Sequence, residues 1–482
     1  MIAIISLLII IIIVLILSIY FTCKSISQSN LLLSDDWWFI LKVNTAFGEM
    51  YPNSSTCFKS YYPKIITKDN RSCPFDLNKK PSTDGYWYYG WNLDYYLATS
   101  HNPSLQFQNG CVGSSQGPLE KLFSQIYNGN YYYVIWNDQF KGDPDTSALD
   151  TPENRKYTNG KTACPSGGDC FNPWGHSKGV VTWDENGYGV MLQVTTPNWP
   201  RSGSKDFPSQ QSNSLGCDTH NNVTASQHFF AFKINKDDLV KILNCMINSC
   251  VVTLPNNKQV VNNGGPIEVQ NLVKKLGVLS PGKILHYTLS NNFQIISKSW
   301  NINVPPWQLV SSVLGGKDLK TATWWTNPSI PSTKSGQIPG CWDKSLKPPG
   351  EVINMATGKL DGKIIGLTAP QFSPTDNHAK FGCSIGGDLA IFGDMNQQGA
   401  LSKDAAFKGQ LCNSSQNGRG GMFVVVTDQK LHDSISEVLS GCQTPFTQVL
   451  DDDKTILYQC GIPEDIVNSV NNLGLPLSFL DL

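Results

Sequence analysis

At 482 residues the chain exceeds the size at which one hydrophobic core stops growing, so two domains or two fused halves are expected. Hydrophobic residues make up 40% and charged residues 16%, with 13 Trp and 17 Tyr, which excludes an intrinsically disordered chain. A formal charge of -1, from 37 Lys and Arg against 38 Asp and Glu, excludes a constitutively basic DNA packager, although protonation of 7 His near pH ~5 would turn the molecule cationic.

The chain opens on an uncharged segment, Met1 to Cys23, in which Ile2 to Tyr20 is almost wholly apolar. Such a terminus directs the chain into the secretory route. Two readings of it stand: a cleaved signal peptide over residues 1–22, or a signal anchor that touches a membrane only if it stays uncleaved. The 14 cysteines, even in number and without a CxxC or zinc-type spacing, point to disulfides formed in an oxidising compartment. Sequons stand at Asn53, Asn70, Asn222 and Asn413. A secreted or lysosomal location follows as an expectation.

Beyond the leader, WWFILKV after Asp36 reads as a buried strand. Residues 53–111, rich in Tyr, Asn, Pro and Cys, read as a loop-heavy insertion. Pro118 opens a helix with apolar Leu119, Leu122, Phe123 and Ile126 in helical spacing and a stop at Gly129, and a strand ending at Asn137 follows. The order returns downstream: a strand in FQIISKSW after Asn292, a helix from Pro305 to Gly316, and a strand from Leu319 that ends in Trp. Each copy leads to a His-x-Lys triplet, so the spacing predicts an internal duplication. The expected fold is α/β (α+β), two halves each with a mixed β-sheet flanked by helices. Residues 23–290 form the half with the first triplet and 291–482 the half with the second.

The triplets are His176/Lys178 and His378/Lys380, each followed by a Gly-containing turn and a segment ending in Asn, Asn198 and Asn396 respectively. Residues i and i+2 of a strand share a face, so His and Lys are presented side by side and the hairpin returns the Asn beside them. This is chemistry suited to a phosphodiester. A neutral imidazole attacks phosphorus, a protonated one releases the leaving oxygen, and Lys and Asn hold the non-bridging oxygens. The lysines supply the positive charge that a metal would otherwise bring, so no metal and no cofactor is expected. One such triplet carries little weight, since composition alone yields about half of one; the repeated setting is what counts.

With GHSKGVV, TPNWP, DNHAKFGCS, GDMNQQG and RGGMF in view, the chain resembles the deoxyribonuclease II family, within the phospholipase D-like superfamily of paired His-x-Lys enzymes. The resemblance runs from Asp36 to about Val426. It implies a phospholipase D-like pseudo-dimer and an acid, metal-independent endonuclease. Such an enzyme cleaves double-stranded DNA to 3'-phosphate products, here through a phosphohistidine. His176, Lys178, His378 and Lys380 would be catalytic, and Asn198 and Asn396 phosphate-binding. Ala379 replaces a Ser usual in the second triplet, and Phe381 a Trp. The resemblance pairs Cys383 with Cys412; Cys341 with Cys442 and Cys23 with Cys217 are further expected pairs. The Cys164/Cys170 and Cys245/Cys250 pairs look like additions. Two rival readings remain, a catalytically silent secreted nucleic-acid-binding homologue and a phospholipid phosphodiesterase of the same superfamily. The other histidines, His101, His220, His228, His286 and His432, read as surface or core residues. Asp184 and Glu185 read as part of a turn, and Arg419 as a loop residue within reach of a phosphate.

Overall fold

The computed structural model describes residues 11–15, 18, 33, 35–43, 95–108, 117–140, 144–165, 169–197, 203–207, 225–325, 328–367, 377–401, 411–444 and 446. Asn198, the sequons at Asn53, Asn70 and Asn222, Cys23, Cys217, His220 and nearly all of the apolar leader lie outside them. Among the described residues no helix is long and apolar enough to cross a membrane.

In chain order the elements are β1 (Trp37–Lys42), β2 (Tyr95–Thr99), β3 (Gln106–Gln108), α1 (Pro118–Asn128), β4 (Tyr132–Asn137), β5 (Lys178–Trp183), β6 (Gly189–Val194), β7 (Gln227–Ile234) and α2 (Lys236–Asn248). Then follow β8 (Val261–Asn262), α3 (Ile267–Val273), β9 (Leu285–Thr288), β10 (Gln294–Lys298), α4 (Pro306–Val313), β11 (Leu319–Ala322) and β12 (Val352–Asn354). A separate hairpin, β13 (Thr357–Leu360) and β14 (Lys363–Gly366), precedes β15 (Phe381–Ser384), β16 (Leu389–Gly393), β17 (Gly421–Thr427) and α5 (Gln429–Val438).

Two sheets result, ordered β3-β2-β1-β7-β6-β5-β4-β8 and β12-β11-β15-β16-β17-β10-β9. Their central five strands superpose as a topology: β4-β5-β6-β7-β1 in the first matches β11-β15-β16-β17-β10 in the second. In both, a Pro-initiated helix links the strand at one end of this block to the strand at the other, and a second helix leaves the fourth strand of the block. The duplication is therefore structural, and the fold is an α/β pseudo-dimer. The second sheet is mixed, β11 and β12 being parallel; the first is antiparallel throughout. Part of the expected loop-rich insertion is sheet instead. Tyr95, Tyr96 and Ala98 are buried, and β2 and β3 extend the first sheet beyond β1.

Residues of β5 and β6 are buried on both faces, so their sequences KGVVTW and GVMLQV show no polar alternation. One face meets the other sheet. Phe230 of β7 stacks on Phe392 of β16 at 4.2 Å between ring centroids, and Phe39 of β1 lies 4.7 Å from Phe392 and 6.2 Å from Phe381. Aromatic pairs of this kind add about 0.5–1.5 kcal/mol each beyond their burial. Asp184 serves the β5–β6 turn as expected, its Oδ1 accepting from the backbone N–H groups of Asn186 and Tyr188. The helix starts follow their sequence cues: Pro118 in the first turn of α1, and an Asn235/Asp238 capping box at α2.

The disulfide expectations need correction. Cys412 pairs with Cys341, with an S–S distance of 2.04 Å, so neither Cys383–Cys412 nor Cys341–Cys442 forms. Cys383 lies in the middle of a three-strand block, opposite Lys320 and Ala390, with its thiol in the core beside Ser436 of α5. Cys341 and Cys412 sit on loops outside the strands, with Cα atoms 5.3 Å apart. Cys164 and Cys170 are bridged, whereas Cys245, Cys250, Cys383 and Cys442 carry thiols.

Candidate active site

The first triplet enters β5: Lys178 is its first residue and His176 precedes it on the same edge. Both point to Asp138, the residue directly after β4. His176 Nδ1 lies 2.7 Å from one carboxylate oxygen and Lys178 Nζ donates to the other at 2.8 Å. Arg419, from the loop before β17, donates from its guanidinium to the same carboxylate at 2.7 Å, and to the Trp174 and Gly175 carbonyls at 2.8 and 3.0 Å. Burial alone would raise the Asp138 carboxyl, but His176, Lys178 and Arg419 together hold it well below the usual range. The carboxylate fixes the His176 tautomer, with the proton on Nδ1, and leaves the Nε2 lone pair facing the site. That Nε2 is buried and has no hydrogen-bond partner among the described residues.

The second triplet is built differently. His378 Nδ1 lies 2.9 Å from the Thr195 carbonyl and 3.2 Å from Gln227 Oε1, both from the first half. Trp324, two residues past β11 and by register the counterpart of Asp138, lies edge-on to the His378 ring at 5.2 Å between centroids. Lys380 Nζ donates to the His378 carbonyl at 2.6 Å and approaches the ring nitrogens at 2.8 and 3.3 Å. On the Thr195 contact Nδ1 is the donor and Nε2, 3.3 Å from Lys380 Nζ, the acceptor.

The two triplets lie within electrostatic reach of each other. His378 is held well below its ordinary value by burial first, and then by the charges of Lys380, Lys178 and His176. Burial drives His176 down to about 3, with Lys178 and Arg419 acting the same way and Asp138 opposing. Lys380 is lowered by burial and by Lys178. The two imidazoles are thus buried beside lysines and held toward the neutral form.

Of the Asn pair, Asn396 is buried, its Nδ2 donates to Gln398 Oε1 at 3.1 Å, and its Oδ1 has no partner among the described residues. Asn198 lies outside the described residues. Arg419, expected within reach of phosphate, is spent on Asp138. His228 is a core residue, as expected, yet its Nδ1 accepts from the Lys380 backbone N–H at 3.2 Å. Two acidic residues were not selected from the sequence. Asp138 stands 38 positions before His176, without a motif that links them. Asp394 lies inside the GDMN segment, where it was read only as a family match.

Asp394 accepts a hydrogen bond from the Ser177 hydroxyl, itself an acceptor from Trp136 Nε1 at 2.8 Å. Burial pushes the Asp394 carboxyl up to about 7, against the pull of Ser177, Lys178 and Lys380. Its folded-state value lies above the ordinary carboxylate value, so it is neutral in acid and its charge costs stability as pH rises toward 7. Above that, a negative charge appears beside Lys178 and Lys380. Asp394→Asn, which stays neutral, should gain a few degrees of melting temperature over the wild type between pH 4 and 7, and should keep cleaving where the wild type falls off. A melting difference that is flat with pH would refute this assignment.

Among the described residues no group of three His, Cys, Asp or Glu side chains is placed to hold a metal ion. The sequence pattern of the deoxyribonuclease II family matches residues 75–445. No curated protein matches the chain. Among solved structures the chain is similar to a mutant of yeast tyrosyl-DNA phosphodiesterase, at 9% identity and a TM-score of 0.25, over 53% of this chain and 68% of that one. A second mutant of the yeast enzyme gives 8% identity and a TM-score of 0.27, over 64% of this chain and 85% of that one. These likenesses are too slight to add to the argument. The family match spans most of the chain and contains both triplets, and on it the chain, a phosphodiester-hydrolysing nuclease, belongs to the deoxyribonuclease II family.

Proposed function

We propose that the chain is an acid, metal-independent endonuclease that cuts double-stranded DNA to 3'-phosphate products through a phosphohistidine. The observation that carries this reading is the pair of buried imidazoles, His176 and His378, each with Nδ1 against an oxygen acceptor and with Lys178 and Lys380 acting on the His378 ring. One Nε2 attacks phosphorus. The other, protonated, gives its proton to the leaving oxygen and then takes one from the water that hydrolyses the intermediate. Lys178, Lys380 and Asn396, with Asn198, hold the non-bridging oxygens. The acid preference follows from the depressed imidazoles, because the general acid must carry a proton that burial discourages. The 3'-phosphate polarity is the family's expectation, as are a secretory route ending in the lysosome or outside the cell, and glycosylation at Asn53, Asn70, Asn222 and the exposed Asn413.

Plasmid digestion at pH 5 and pH 7.5, with EDTA or with added divalent ions, tests the reading. Cleavage in EDTA that is faster at pH 5, and that leaves ends refractory to ligation until the 3'-phosphate is removed and the 5'-hydroxyl phosphorylated, is the expected result. Loss of cleavage in EDTA would overturn it.

A further inference from the structure

Two lysines outside the site are fully buried, Lys42 at the end of β1 and Lys298 at the end of β10. They occupy the same place in the two halves. Lys42 pairs across the sheet with Gln227, the first residue of β7, and Lys298 with Gly421, the first residue of β17. Burying an ammonium costs several kcal/mol where an apolar side chain would cost nothing, and here the cost is incurred twice. Burial pulls Lys42 down to about 7 and lowers Lys298 well below its ordinary value.

Their contacts show what they hold. Lys42 Nζ donates to the Ala225 carbonyl at 2.8 Å, and the adjacent Ser226 carbonyl accepts from the His378 backbone N–H at 2.8 Å. Lys298 Nζ donates to the Arg419 and Asn417 carbonyls at 2.8 and 2.6 Å, and the adjacent Gly420 carbonyl accepts from the His176 backbone N–H at 2.8 Å. By register Ala225 and Ser226 are the counterparts of Arg419 and Gly420. The same two-step connection therefore occurs twice, and each time it crosses between halves. The lysine of one half secures the turn before its own β7 or β17, and that turn grips the main chain of the other half's histidine.

We infer that Lys42 and Lys298 are positioning residues that form a crossed brace, Lys42 setting His378 and Lys298 setting His176. The inference rests on the reading of those histidines as the reacting groups. Its contribution is geometric, since a displacement of about 1 Å at a reacting atom can cost ~100-fold in rate.

Lys42→Met and Lys298→Met keep the side-chain length and remove the donor. Ring-nitrogen NMR of the histidine-labelled full chain, with His176 and His378 signals identified by their loss in the two alanine variants, reads the brace without substrate. Lys42→Met should shift the His378 signals and leave those of His176 in place; Lys298→Met should do the reverse. In parallel kcat should fall 10- to 100-fold with KM changed less than threefold. A same-half pattern, or unmoved signals in folded protein, would overturn the brace even if the chain cleaves DNA as proposed. Conversely, the crossed shifts would stand if cleavage proved to need a metal. Should either Met variant not fold, Lys42→Gln and Lys298→Gln, which retain a shorter polar head, are read by the same criteria.

Discussion

His176→Ala and His378→Ala each lower plasmid cleavage at pH 5 by at least about 1000-fold, and the double variant is scarcely worse than either alone. General acid–base and nucleophilic contributions are each on the order of 10²–10⁴ or more, and groups that act as one unit are strongly non-additive. The shared pocket makes this the expected pattern, since His378 lies within reach of the charges of both His176 and Lys178. Neither substitution should unfold the chain, because Asp138 keeps Lys178 and Arg419, and Thr195 keeps its backbone N–H and hydroxyl bonds to His228 and Gln227. Rates measured alongside melting curves separate the two effects. Additive losses, or a variant that retains cleavage, would show that the triplets are two sites or none.

Asp138→Ala is expected to be the most damaging single change to the fold of the site. It leaves Lys178 and Arg419 buried without their counter-charge, which costs about 3–5 kcal/mol when one partner of a buried ion pair is removed. It also frees the His176 ring. The carboxyl sits below its ordinary value, so its contribution is present above the unfolded-state value of about 3.9 and is lost only as pH falls through the lower folded value. The network therefore survives at pH 5. Adding Arg419→Met to Asp138→Ala should recover part of the stability and none of the activity. Denaturant midpoints and plasmid rates at pH 5 give both readings, and a double variant that recovers cleavage would remove Asp138 from the site.

Much of this was legible in the sequence because it is local. The strand–helix–strand order, the Pro starts and Gly stops, and the His-x-Lys spacing are short-range patterns, and β1, α1, β4, β10, α4 and β11 lie where those patterns place them. What escaped is long-range. Asp138 meets Arg419 across 281 positions, and Ser177 meets Asp394 across 217, contacts created only when the two sheets close on each other. The cysteine pairing failed for the same reason. Cys383 is close in sequence to Cys412, but its strand turns the thiol into the core, away from the loops that carry Cys341 and Cys412. β2 and β3 were hidden by a composition dominated by Tyr and Asn, although alternate burial in Tyr95–Thr99 is ordinary strand behaviour.

The unlike neighbours of the two imidazoles, a carboxylate at His176 and an indole at His378, have a consequence for direction. A phosphodiester link presents two ester oxygens that are nearly interchangeable in shape, and two identical half-sites would accept it either way round. Once one imidazole is backed by charge and the other by an aromatic face, the two orientations are no longer equal in energy. On the proposed function, divergence after duplication would give the pair of imidazoles a head and a tail, so that a strand bound between them is expected to be cut with one polarity.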